Sequence, residues 1–205
     1  MNRVARSVLA VALVGGGLVA CTPDEAPPVT RPTSSAPVET PTPTPTPSPS
    51  PSVSAVVDVT VAPERPDALD ADEPSKEGAV ASGKYFLSLF PYVSASGDLS
   101  AWNAMSDPKC KFCASVRDGV KSANDAGEHD VGGALAFDDE VGREVVAGAT
   151  YEVALDVAQE ASQTVDSTGK AVESFPGPKF FRATLVIEWS DRGWMVRGVQ
   201  VDAKS

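Results

Sequence analysis

Two cysteines three positions apart, Cys110 and Cys113, and a single histidine, His129, are the side chains of this 205-residue sequence best suited to chemistry. A thiol opening a helix between Lys109 and Lys111 has a lowered pKa, so the pair is electrostatically fit for thiol–disulfide exchange. Against this, no strand or aromatic residue immediately precedes the pair, and no second thiol pair exists to make a relay. A tetrahedral zinc site needs four ligands, which two cysteines and one histidine do not supply. His129 lies in Gly127-Glu128-His129-Asp130, expected to be an exposed polar connection. Adjacent carboxylates rarely orient an imidazole as a general base requires, and no Gly-x-Ser-x-Gly elbow accompanies it. Asp138-Asp139-Glu140 lacks the alternating ligands and central glycine of a calcium loop and is expected as a solvated turn. Gly132-Gly133 has no following lysine and is not a phosphate loop. The sequence therefore assigns no catalytic residue, no metal site and no cofactor.

The third cysteine changes the reading of the other two. Arg3 and Arg6 precede an apolar run from Val8 to Val19, and Leu18-Val19-Ala20-Cys21 follows the pattern of a bacterial lipobox. Residues 1–20 are thus expected to be a cleaved signal peptide and Cys21 the diacylated, palmitate-type anchor. The apolar run is shorter than the roughly 20 residues needed to span a bilayer. Two acyl chains hold a protein at a membrane where one is marginal. The expected location is the extracytoplasmic face of the cell membrane, with the lipid as the membrane contact. In that oxidising compartment Cys110 and Cys113 have each other as disulfide partner.

Charge excludes one class of partner. The chain carries 28 acidic residues against 17 basic ones, a net charge of −11, and removing Arg3 and Arg6 makes it more acidic still. Nucleic-acid phosphates would repel it. Residues 21–74 hold most of the 18 prolines and no aromatic side chain, so they are expected to be a disordered linker. Within it, Thr40 to Pro51 alternates Thr or Ser with Pro, which favours a polyproline II rod of roughly 37 Å. The hydroxyls flanked by proline suit O-glycosylation.

Residues 75–205 are expected to form one folded domain of α+β class. Ser75 is placed as the N-cap of a helix whose face is Ala79, Gly83, Phe86, Phe90 and Val93, with Pro91 kinking it or ending it early. Asp98 is read as the N-cap of a short helix through Leu99, Trp102 and Met105. Asp107-Pro108 is read as the opening of a third helix that ends at Gly127. The period then falls to two. Gly142 to Ala147 is expected to form a hairpin with the alternating strand Tyr151-Val153-Leu155-Val157. Asp166 to Gly169 is a turn and Phe175-Pro176-Gly177-Pro178 a rigid loop. The strand Phe181-Ala183-Leu185-Ile187-Trp189 returns through Asp191-Arg192-Gly193 into Trp194 to Val201, with Gly198 marking a bulge.

Helices followed by a curved antiparallel sheet that closes on Trp-Ser-Asp-Arg-Gly-Trp-Met-Val is similar to the cone-shaped nuclear transport factor 2-like fold. Glu77-Gly78, Ala95-Ser96-Gly97-Asp98 and Ser106-Asp107-Pro108-Lys109-Cys110-Lys111-Phe112-Cys113 together resemble a family of actinobacterial lipoproteins, domain of unknown function 6318. The resemblance implies a fold and an address, and no activity.

Cone-shaped folds commonly bind ligands on the concave sheet face, which nominates Tyr85, Trp102, Tyr151, Phe181 and Trp189 as pocket lining; the alternative is that they fill the core. Arg182 and Glu188, on the opposite strand face, are expected at an exposed or partner surface. The expected function is a noncatalytic binding or scaffolding domain presented on a membrane-anchored stalk to an envelope protein, a wall polymer or a small ligand. An extracytoplasmic thiol–disulfide enzyme, or a small pocket hydrolase or isomerase using His129, is the alternative.

Overall fold

The computed structural model describes residues 57–204. The expected signal peptide, Cys21 and the Thr-Pro repeat lie outside the described residues. No helix of the described residues is long and apolar enough to cross a membrane.

The fold is α+β. A short 3-10 turn, Asp67–Asp70, precedes three helices: α1 (Lys76–Ser96), α2 (Ser100–Met105) and α3 (Lys111–Ala126). Seven strands follow: β1 (His129–Gly132), β2 (Leu135–Val146), β3 (Thr150–Gln159), β4 (Ser162–Val165), β5 (Ala171–Phe175), β6 (Lys179–Ser190) and β7 (Gly193–Ala203). They form two antiparallel sheets, ordered β2-β3-β6-β7 and β1-β4-β5.

α1 begins where its sequence says it should: the Ser75 hydroxyl accepts from the Gly78 amide at 2.9 Å, and Glu77 sits in the positively polarised first turn. It ends at Gly97, whose φ of 74° is the left-handed conformation glycine adopts without strain. Pro91 does not end it early. The helix runs five residues beyond Pro91, which is itself buried, so burial of its neighbours Leu89 and Val93 outweighs the lost backbone bond. α2 begins one residue later than expected, with Leu99 at the cap position, and Asp98 ahead of it accepts from the Ser100 amide through Oδ1.

α3 starts later than Asp107-Pro108 suggested. Asp107 is engaged elsewhere: its Oδ1 accepts from the Lys109 amide at 2.7 Å and its carboxylate pairs with Arg197 on β7. Cys110 takes the cap position instead, its sulfur accepting from the Cys113 amide at 3.2 Å.

The four-stranded sheet is built on alternation. Tyr151, Val153, Leu155 and Val157 on β3 face the helices together with Ala183, Leu185 and Ile187 on β6. α1 lies close on this face because Gly83 has no side chain; a Cβ there would stand 3.1 Å from Val153 and 3.3 Å from Ile187. Phe86 stacks on Trp102 with centroids 4.2 Å apart, filling the space between α1 and α2. The expected bulge is present, with the β6–β7 register slipping at Arg197, next to Gly198.

Three expectations fall to the structure. His129 is in strand β1, opposite Val165, and not in a loop. Asp138-Asp139-Glu140 is an irregularity within β2, with Asp139 at φ 43°, and not a turn ahead of the strand; β2 starts at Leu135. The folded unit also reaches back before Ser75, because Val59 and Leu69 are buried and Leu69 belongs to the core. Leu69 stands in no apolar periodic pattern, and no local pattern separates Val59 from its exposed neighbours Val57 and Val61.

Candidate functional site

A cleft of about 620 Å³ opens between the segment ahead of α1, the first turns of α1 and strand β2. Its three walls come from different parts of the sequence. Pro63, Glu64 and Pro66 form one; Lys76, Glu77, Val80, Ala81, Lys84, Tyr85 and Ser88 come from α1; Phe137, Glu140 and Gly142 come from β2.

The α1 residues follow helical spacing, so Glu77, Val80, Ala81 and Lys84 share one face. Buried Leu69 and the hydrogen bond from Arg65 to Asp70, 2.9 Å long, hold the proline wall. That bond keeps the Asp70 carboxyl below, and the Arg65 guanidinium above, its ordinary pKa. β2 contributes through its irregularity, which re-aims the strand between Asp138 and Val141. Gly142 lets α1 approach: a Cβ there would lie 2.9 Å from Val80 Cγ2 and 3.1 Å from the Lys76 carbonyl oxygen.

Charge within the cleft is organised around Lys84. Its ammonium pairs with the Glu140 carboxylate and stands over the Phe137 ring, 6.0 Å from the centroid. Glu64, Glu77 and Lys76 make no ion pair among the described residues. The cleft thus combines apolar side chains, a proline wall and a few charged groups in one open surface depression.

Of the five aromatic residues proposed from sequence, Tyr85 lines this cleft. The structure does not bring the others to it. Trp102 is fully buried between Phe86 and Phe112, and its Nε1–H donates to the Cys113 carbonyl. Tyr151 and Trp189 pack edge-on against Trp194, at 5.4 and 4.9 Å between centroids. Phe181 is half-buried beside the core, opposite Val157. α1 packs across the apolar face of the four-stranded sheet, and these rings do not line the cleft.

The remaining sequence-derived candidates are also placed. Cys110 and Cys113 are joined as a disulfide, each 1 % exposed. No group of three or more potential metal ligands occurs among the described residues. Asp130, beside His129, accepts a hydrogen bond from the Thr164 hydroxyl at 2.7 Å, which commits it to β4. Arg182 pairs with Asp156 across the sheet, and Glu188 with Arg197.

Sequence reasoning missed Lys84, Phe137, Glu140 and the proline wall. The i, i+3 and i+4 spacing of Glu77, Val80, Ala81 and Lys84 was available as a signal. The contributions of β2 and residues 63–66 were not, because they depend on where a long-range pairing sets its register.

No functionally curated protein matches the sequence. Among solved structures, the intermembrane-space region of the chloroplast protein ARC6 is similar in fold, with a TM-score of 0.51 at 11 % identity, over 64 % of this chain and 98 % of that one. An NTF2-like protein from Cytophaga hutchinsonii has a TM-score of 0.46 at 13 % identity, over 64 % and 99 %. Aln2 from a Streptomyces species has 0.41 at 11 %, over 64 % and 94 %. The model of DUF6318, a family of unknown function, matches residues 59–200, a span that begins at the buried Val59 and takes in the cleft, the disulfide and both sheets. The chain belongs to the DUF6318 family.

Proposed function

We propose that this protein is an actinobacterial-type lipoprotein, anchored through diacylated Cys21 on the extracytoplasmic face of the cell membrane, that presents a noncatalytic binding domain of nuclear transport factor 2-like shape. Its ligand site is the cleft between residues 63–66, α1 and β2. The cleft is the observation that carries the binding reading, because it joins apolar surface to charged side chains at a volume suited to a small ligand or the end of a wall polymer. The disulfide supports the address, since such bonds persist in oxidising compartments. The acidic surface supports the absence of nucleic acid among its partners.

The thiol–disulfide alternative gains no support from the cysteine geometry. Exchange requires a thiolate to reach a sulfur, and both residues are buried beneath Trp102 and the start of α3.

Two measurements test the proposal. Metabolic labelling with palmitate, with partition of the full-length protein into detergent, should be positive for the wild type and lost for Cys21→Ala; an unlabelled wild type rejects the anchor. For the site, Ala81→Trp fills the cleft from α1. Small molecules found to bind the full chain by ligand-observed NMR should lose binding in this variant while its circular dichroism is unchanged, and retained binding moves the site elsewhere.

A further inference from the structure

We infer that the cleft selects an organic cation with an apolar body: a primary ammonium or guanidinium carried on an aryl or alkyl group. The inference rests on the cleft being the binding site, and it names the ligand class.

Three features of the cleft point the same way. Its charged lining is three carboxylates, Glu64, Glu77 and Glu140, against two ammoniums, Lys76 and Lys84. Glu140 is committed to Lys84, while Glu64 and Glu77, both solvent-exposed, stand at the cleft mouth with no ion-pair partner among the described residues. The second feature is the surroundings of Lys84. Its ammonium is held by a carboxylate on one side and the face of Phe137 on the other, which is the arrangement proteins use to recognise cationic ligands. The cleft thus already holds one internal cation in a cation-binding cradle. Tyr85 and Val80 supply the third feature, an apolar surface beside the charges.

An anionic ligand is the competing class, because the positive end of α1 opens here. That end is already capped by the Ser75 hydroxyl, which accepts from the Gly78 amide. The acidity of the whole chain further disfavours anions and raises the local concentration of cations.

The test uses the full-length, detergent-extracted chain and three phenyl probes of similar size: 2-phenylethylammonium, 2-phenylethanol and 3-phenylpropionate, titrated by ligand-observed NMR. The ammonium should bind about threefold more tightly than the alcohol, the discrimination expected of ion pairing with exposed carboxylates. The propionate should bind most weakly. Glu64→Gln and Glu77→Gln should each weaken ammonium binding and leave the alcohol unchanged. Lys84→Met keeps the aliphatic stem but frees Glu140 and Phe137, so it should bind the ammonium several-fold more tightly; a variant that merely damaged the fold would bind it less.

Equal or preferred binding of the alcohol or the propionate overturns the cation inference and leaves the binding domain standing. So does ammonium binding indifferent to both glutamates. Weaker ammonium binding by Lys84→Met with circular dichroism unchanged also overturns it. No binding of any probe at millimolar concentration overturns the inference and removes the support for the cleft as a site.

Discussion

The indole Nε1–H of Trp102 donates to the carbonyl oxygen of Cys113 at 3.1 Å, joining α2 to the first turn of α3 beneath the disulfide. The same indole stacks on Phe86 of α1. One side chain therefore fixes the relative position of three helices. Trp102→Phe keeps most of the stack and loses the donor, and should cost about 1 kcal/mol or somewhat more where the smaller ring leaves space. Trp102→Ala should cost about 3–5 kcal/mol. Urea unfolding of the full chain, followed by circular dichroism, measures both.

The disulfide closes a short loop, so its removal should be mild. On the chain-entropy model, Cys110→Ala with Cys113→Ala loses about 2 kcal/mol and leaves a folded protein. The expected sign in urea is a lower midpoint with an unchanged slope. Ligand binding at the cleft should be unaffected, since neither cysteine lines it. A binding defect in the double variant would show that the helix start and the cleft are coupled.

Two glycines should respond to alanine in opposite directions. Gly142→Ala places a methyl against Val80 and the Lys76 carbonyl, pushing α1 from β2, and should destabilise by about 1–3 kcal/mol. Gly119, within α3, has open space where a methyl would stand, with nothing within 4 Å, so Gly119→Ala should stabilise by about 0.5–1 kcal/mol through helix propensity. Thermal unfolding midpoints moving the same way for both would contradict this account.

Asp156 sets part of the acid limit. A hydrogen bond from Lys204, reinforced by Arg182, holds its carboxyl below the ordinary carboxylate range despite the burial that opposes this. A depressed folded pKa means the stabilisation is complete above the unfolded value, near about pH 4, and is lost as pH falls through the folded one. Asp156→Asn should therefore reduce stability at neutral pH and flatten its decline below about pH 4. Asp58, Asp70, Asp98 and Asp166 are likewise held low by hydrogen bonds, so part of the decline should persist. An unchanged acid profile would show that the ion pairs around Asp156 contribute nothing.

Where a single local signal decided the structure, it was legible in the sequence. Ser75 caps α1, alternation defines β3, and the β6–β7 hairpin turns at Asp191-Arg192. The strands β1, β4 and β5 carried no such signal: they are four or five residues long, half-buried or exposed apart from Val165, and held by pairing with each other. Pro91 within α1 is a tertiary override of a local rule. Leu69 is the one leucine of residues 21–74, and its burial depends on packing in the core; Val59 is buried while its neighbours Val57 and Val61 are exposed, a difference no local pattern marks. The cleft was hidden for the same reason, since Tyr85, Phe137 and Pro63 meet only after the fold has formed.

The docking of Val59 and Leu69 has a mechanical consequence. Tension applied to the chain ahead of residue 57 would fall first on these two buried anchors, before it reached α1 or the sheet. The stretch between them includes Pro63, Glu64 and Pro66, one wall of the cleft. Peeling that stretch away would dismantle the cleft while the helices and sheets stayed folded. A bound ligand would resist such peeling, so occupancy and load would act against each other.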